Sequence, residues 1–136
     1  MFDITGIDRI TNPKEYSPLV LAYIGDAVYE VLVRQYIVSL GNAPVNVLNK
    51  KARAIVNAAA QSSVYDKIKD ALTEEEEAVY RRGRNAKSHT AAKNQSITDY
   101  RRATGIEALF GYLYLSGKNE RINELFCLCI KENEVS

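Results

Sequence analysis

The 136-residue sequence has no tryptophan, one methionine, one histidine, three prolines and two cysteines. A lone histidine, His89, argues against a histidine-ligated metallonuclease and against a nucleophilic triad. Cys127 and Cys129 lie two apart, which on a helix turns them to nearly opposite sides. That spacing is neither a zinc knuckle nor a redox pair, so both are expected as buried, reduced thiols. The start of the chain, MFDITGIDRI, lacks a basic region followed by an apolar run, so no secretory signal is expected there. The longest apolar stretch, Leu19 to Val33, carries Asp26 and Glu30 and is too short and too charged to span a bilayer. The expected compartment is the cytoplasm. The formal net charge is only +1, so any polyanion partner must be signalled by local charge asymmetry. Repeats, low-complexity tracts and linkers are also absent, which implies one domain over residues 1–136 with a core from about 17 to 131.

What is present is helical punctuation. Ser17-Pro18 reads as an N-cap with proline at the first helical position, and Gly41 supplies the stop. Val45, Leu48, Ala52, Ile55, Val56 and Ala59 recur at helical spacing, which predicts a second helix to about Ser62-Ser63 and a short one over Val64–Leu72. Thr73 and Glu76 form a capping box, with Glu74 to Glu77 at the positive end of the helix dipole. That helix is expected to end near Arg82-Gly83. The stretch from Arg84 to Ile97 has no periodicity and reads as a loop. Thr98 is expected to cap a helix to Gly117, and a last amphipathic helix runs from about Asn119 to Lys131. No segment alternates with period two, so the fold class is all-α.

Two positions resist this apolar pattern. In LAYIGDAVYE a glycine and Asp26 sit inside a strongly apolar helix, and in TGIEALFGYLYL Glu107 lies near two more glycines. An ionised carboxylate among apolar side chains is costly unless paired, hydrogen-bonded or bound to a metal. Two such acids brought together repel or take up a proton, and a shared Mg²⁺ would relieve them through hard oxygen ligands. Glycine beside each acid permits close approach of another backbone or of a substrate. The residues leave a second reading open, in which Asp26 pairs with an arginine and Glu107 faces solvent. Glu30 is expected to pair with Arg34, and Tyr23, Tyr29, Tyr112 and Tyr114 to pack. Between Arg81 and Arg102, five arginines and two lysines face a single acid, Asp99, a net +6 with His89 neutral. Such a local excess suits a phosphate backbone. Within it Arg82, Arg84, Asn85 and Lys87 are the candidate RNA contacts.

YIGDAVYE resembles the signature helix of the ribonuclease III family, TGIEALFGYLYL its second acidic helix, and NKKARAIVN the intervening Lys-x-x-Arg helix. RGRNAKSHT and RRATGIEALFGYLYL are similar to the short, or Mini, branch, which has the catalytic domain without a double-stranded-RNA-binding domain. The resemblance runs from about Ser17 to Gly117. It implies a ribonuclease III-like helical fold, a homodimer with one active site per subunit, and Mg²⁺-dependent cleavage of double-stranded RNA to 5′-phosphate and 3′-hydroxyl ends. It further implies Asp26 and Glu107 as catalytic metal ligands, ribosomal RNA precursor (23S, large-subunit) as substrate, and a ribosomal protein as possible helper. Two acids of the family pattern are missing, replaced by Ala22 and Thr104, so the number of metals is left open. The competing expectation is a catalytically silent duplex-RNA-binding or ribosome-assembly protein on the same scaffold.

Overall fold

A computed structural model describes residues 12–87 and 96–135, with side chains described as far as residue 130. Among the described residues there are six α-helices and no strands: α1 (Pro18–Ser39), α2 (Val45–Ile55), α3 (Ala58–Ile68), α4 (Glu74–Asn85), α5 (Ile97–Leu115) and α6 (Asn119–Val135). No helix among them is long and apolar enough to cross a membrane.

The architecture follows from α5. From Ala103 to Leu113 every residue except Glu107 is buried, so this helix is apolar nearly all round and must be enclosed. It is the central element, packed against α1, α3, α4 and α6. Tyr29 of α1 fills the space between Phe110 of α5 and Phe126 of α6, edge-on to both, with ring centroids 5.3 and 5.8 Å away. Leu21, Val33, Ile68, Ile106, Leu109, Ile122 and Leu125 complete the core around it. Lys118 N donates to Leu113 O at 2.9 Å, and Gly117, at φ 73°, makes the left-handed turn that ends α5.

Several boundaries differ from the sequence expectation. The expected helix from Val45 to Ser62-Ser63 breaks at Val56–Asn57, and the remainder joins the expected short helix as α3. Asn57 explains the break. Its Oδ1 accepts from Ala60 N at 2.9 Å, capping α3, while its Nδ2 donates to Arg53 O and Ala54 O at the end of α2. Ser96, not Thr98, caps α5, accepting from Asp99 N at 2.9 Å. Ser17 precedes Pro18 as expected but makes no side-chain cap bond. The capping box at Thr73 and Glu76 is complete, and α4 runs two residues past Gly83, to Asn85. Of the cysteines only Cys129 is buried; Cys127 is exposed, and both are free. Tyr29 and Tyr112 pack inside, whereas Tyr23 is 83% exposed.

Candidate active site

Close backbone contact builds the site. A methyl group added to Gly25 of α1 would overlap the carbonyl oxygen of Glu107 on α5, and one added to Gly111 would overlap that of Leu21 on α1. Glycine at both positions therefore lets the two helices cross with their backbones touching. The sequence left open whether the glycines admit a backbone or a substrate; here they admit a backbone. The crossing brings the next residue on α1, Asp26, against Glu107.

Glu107 is largely enclosed while Asp26 is exposed at the mouth. Burial, then the hydrogen bond with Asp26 and its charge, push the Glu107 carboxyl up to about 8. The proton of the pair thus resides on the more buried acid. A third helix contributes Gln61 of α3, whose amide pulls the other way and favours ionised Glu107. That amide is near the carboxyl, yet its Nε2 makes no bond of full hydrogen-bonding geometry, and the residue is only 5% exposed. Sequence reasoning missed Gln61. Its signal was a lone amide at the spacing of Ala58, Ser62 and Ile68, the buried face of α3.

The donor set suits Mg²⁺. Two carboxyl groups, one reaching solvent and the other beside an amide donor, are a hard-oxygen site in which a cation could take the place of the shared proton. Among the described residues no cluster of three or more His, Cys, Asp or Glu side chains could hold a metal. Mg²⁺ retains several waters and is commonly held by one or two carboxylates plus substrate phosphate oxygens, so two acids are enough. Ala22 and Thr104 are both buried, and the Thr104 hydroxyl donates to Tyr100 O at 2.9 Å. Glu30 is turned to Arg34, 2.9 Å away, as expected.

The basic stretch is partly committed to the fold. Arg102 pairs with Asp66 at 2.9 Å and lies over the Tyr65 ring, and Arg81 pairs with Glu77 at 3.2 Å. Arg82 donates to the backbone carbonyls of Lys14 and Tyr16, fastening the segment ahead of α1. Arg84 donates to Asn85 Oδ1 at 3.2 Å, with its guanidinium 5.9 Å from the Tyr80 ring centre. Asn85 and Lys87 are exposed. A methyl on Gly83, between Arg82 and Arg84, would lie 2.7 Å from Ala108 Cβ, so the basic end of α4 runs beside the part of α5 that carries Glu107. Ser88, His89, Thr90, Lys93 and Asn94 lie outside the described residues.

Comparison with known proteins gives consistent matches. The ribonuclease III domain family model matches residues 19–118. A Mini-ribonuclease 3 of Enterococcus faecalis is 52% identical over 121 residues, 88% of this chain and 92% of that relative. A Mini-ribonuclease 3 of Clostridium tetani is also 52% identical, over 124 residues that make up 90% of this chain and 82% of its own. A crystal structure of a Fusobacterium nucleatum protein superposes with a TM-score of 0.81 at 35% identity, covering 89% of this chain and 99% of that one.

Proposed function

The chain belongs to the ribonuclease III family, as an endoribonuclease of its Mini-ribonuclease 3 branch, and from that premise we propose that Asp26 and Glu107 form its Mg²⁺-dependent catalytic site. The substrate is double-stranded RNA, specifically the paired ends of 23S ribosomal RNA precursor in the cytoplasm. A ribosomal protein that shapes this precursor is a compatible partner.

Asp26 and Glu107 would hold Mg²⁺, which would supply Lewis acidity to a water and offset charge on the scissile phosphate. The chain's own residues perform the rest. Asp26, open to solvent, offers its oxygens where a phosphate can approach, and Glu107 holds the inner side of the site against the α1–α5 crossing. The Gly25 and Gly111 contact fixes the two carboxylates on backbones that cannot slide apart without losing their packing. Arg84, Asn85 and Lys87, at the free end of α4, grip the phosphates and 2′-hydroxyls that flank the cut, since paired RNA is read by shape and backbone.

The working unit is a homodimer with one site per subunit. Supporting this, Val20, Tyr23 and Val31 stand exposed at helical spacing on α1, 47%, 83% and 43% accessible, beside the exposed Asp26. A two-fold pair matches a duplex whose strands are themselves nearly two-fold related, so each subunit cuts one strand to leave 5′-phosphate and 3′-hydroxyl ends.

The observation that carries the catalytic assignment is the strained acid pair. A protein that only gripped RNA gains nothing from a largely enclosed carboxyl set against a second acid, where burial first and Asp26 second push it up to about 8. In the test, a labelled RNA duplex is incubated with Mg²⁺ or with EDTA, using wild type and Asp26→Asn. Cleavage should require Mg²⁺ and fall at least about a thousandfold in the variant, while helix content persists. Ala22 and Thr104, buried where the family pattern has acids, favour a second reading, a silent duplex-RNA-binding protein. Binding without cleavage on duplex and on natural precursor alike would establish that reading instead.

A further inference from the structure

Gln61 stands out among the groups that the catalytic assignment does not use. Its side chain is 5% exposed and its Nε2 has no hydrogen-bond partner among the described residues. Burying an amide donor without a partner costs about 1–3 kcal/mol. A core position on α3 filled for packing alone would be served better by leucine or methionine. The neighbouring buried positions, Ala58, Ser62, Val64 and Ile68, carry no other amide or charged group. The amide is also not placed at random: it is close enough to Glu107 to favour that carboxyl's ionised form, although its Nε2 falls short of full hydrogen-bonding geometry.

We propose that Gln61 is a positioning residue of the cation site, its amide N–H holding the Glu107 carboxylate in the orientation a divalent cation requires. This rests on the reading of Asp26 and Glu107 as cation ligands. Three helices then meet at one point: α1 brings the outer ligand, α5 the inner one, and α3 the donor that fixes the inner one. Hydrogen-bond partners behind metal ligands set ligand orientation and cation affinity. Here that duty is concentrated, because Ala22 and Thr104 leave only two acids to set the geometry. An amide suits it better than a cation would. Lysine or arginine in the same place would neutralise Glu107 and compete with the metal, whereas an amide orients the carboxylate and leaves its charge available. Gln61 acts through Glu107 and is a positioning residue rather than a catalytic one.

The test measures Mn²⁺ binding without RNA, from the electron paramagnetic resonance of free Mn²⁺, for wild type, Gln61→Met, Gln61→Leu and Asp26→Asn. Thermal midpoints are recorded on the same samples. Gln61→Met, similar in length but without a donor, should weaken Mn²⁺ binding about ten- to a hundredfold. Its midpoint in the absence of metal should equal or exceed that of wild type, because the unsatisfied donor is gone. Cleavage by the variant should recover in part as Mg²⁺ is raised. Wild-type Mn²⁺ affinity in either folded Gln61 variant overturns the inference, and so does failure of both variants to fold, which would make Gln61 a packing residue. If wild type binds no more Mn²⁺ than Asp26→Asn, the cation site itself fails and this inference with it. Asp26-dependent binding that ignores Gln61 would remove only the positioning role.

Discussion

At the scale of single residues, Glu107 opposes folding and function to each other. Its carboxyl is pushed up to about 8 in the fold, against an ordinary value of 4.5. The folded state therefore holds this proton more tightly than the unfolded state. Its contribution is most favourable below the ordinary carboxylate range and is lost as pH rises through about 8. Metal-free wild type should thus lose stability across that window, by a few kcal/mol at most given that Asp26 keeps the site open to solvent. Glu107→Gln should lack this dependence and melt higher than wild type near pH 8 when no metal is present. Added Mg²⁺ should raise the midpoint of wild type but not of the variant, so a calorimetric series with and without Mg²⁺ checks both. Equal pH dependence in the two proteins would mean that Glu107 is not strained. The two acids were legible in the sequence because an acid in an apolar helix violates the local pattern at a visible cost. Gln61 was not legible, because an amide after three alanines raises no alarm until its side chain is seen buried and unpartnered against Glu107.

At the scale of elements, the crossing of α1 and α5 is the feature that both fold and site depend on. Gly111 lies one helical turn past Glu107 on α5, and a methyl there would overlap Leu21 O and approach Gly25 N to 3.0 Å. Backbone atoms cannot turn aside as a side chain can, so the helices must separate. Gly111→Ala should destabilise the protein by about 1–3 kcal/mol or more and weaken cleavage even under conditions where the variant stays folded. Urea unfolding followed by cleavage assays at low temperature checks this, and unchanged stability would show that the crossing relaxes freely. The helices themselves were largely readable, since proline, glycine and the Thr73–Glu76 box mark their ends. The break between α2 and α3 was not. Apolar spacing runs through Val56 and Asn57 without a proline or glycine, and the stop is made by a single asparagine bonded to both helices. The basic stretch was read as one surface, but Arg81, Arg82 and Arg102 are engaged with Glu77, with backbone carbonyls and with Asp66. Sequence counts charges and cannot tell which are already bonded.

At the scale of the whole molecule, two surfaces share the work. Arg84 and Lys87 are the cations of the basic stretch that lie closest to the C-terminal end of α4 and form no ion pair among the described residues. Replacing both with alanine should weaken duplex RNA binding and lower the slope of log affinity against log salt by about one to two. An unchanged slope, measured by fluorescence anisotropy, would move the RNA surface elsewhere. The second surface is the exposed side of α1, which, as the proposed two-fold contact, would decide whether cleavage of two strands is coupled. Tyr23, 83% exposed and three residues before Asp26, shares one apolar strip of α1 with the exposed Val20 and Val31. A second copy of the same helix face would bury it and set the two Asp26 carboxylates in one continuous groove. Tyr23→Lys places like charges opposite one another at such a two-fold contact, so it should shift the protein to monomer in sedimentation equilibrium. If the groove is shared, the monomer should bind duplex RNA more weakly and cut it poorly, while its metal-free helix content stays the same. A variant that remains dimeric would place the two-fold contact on another face, and a fully active monomer would show that one subunit suffices for each cut.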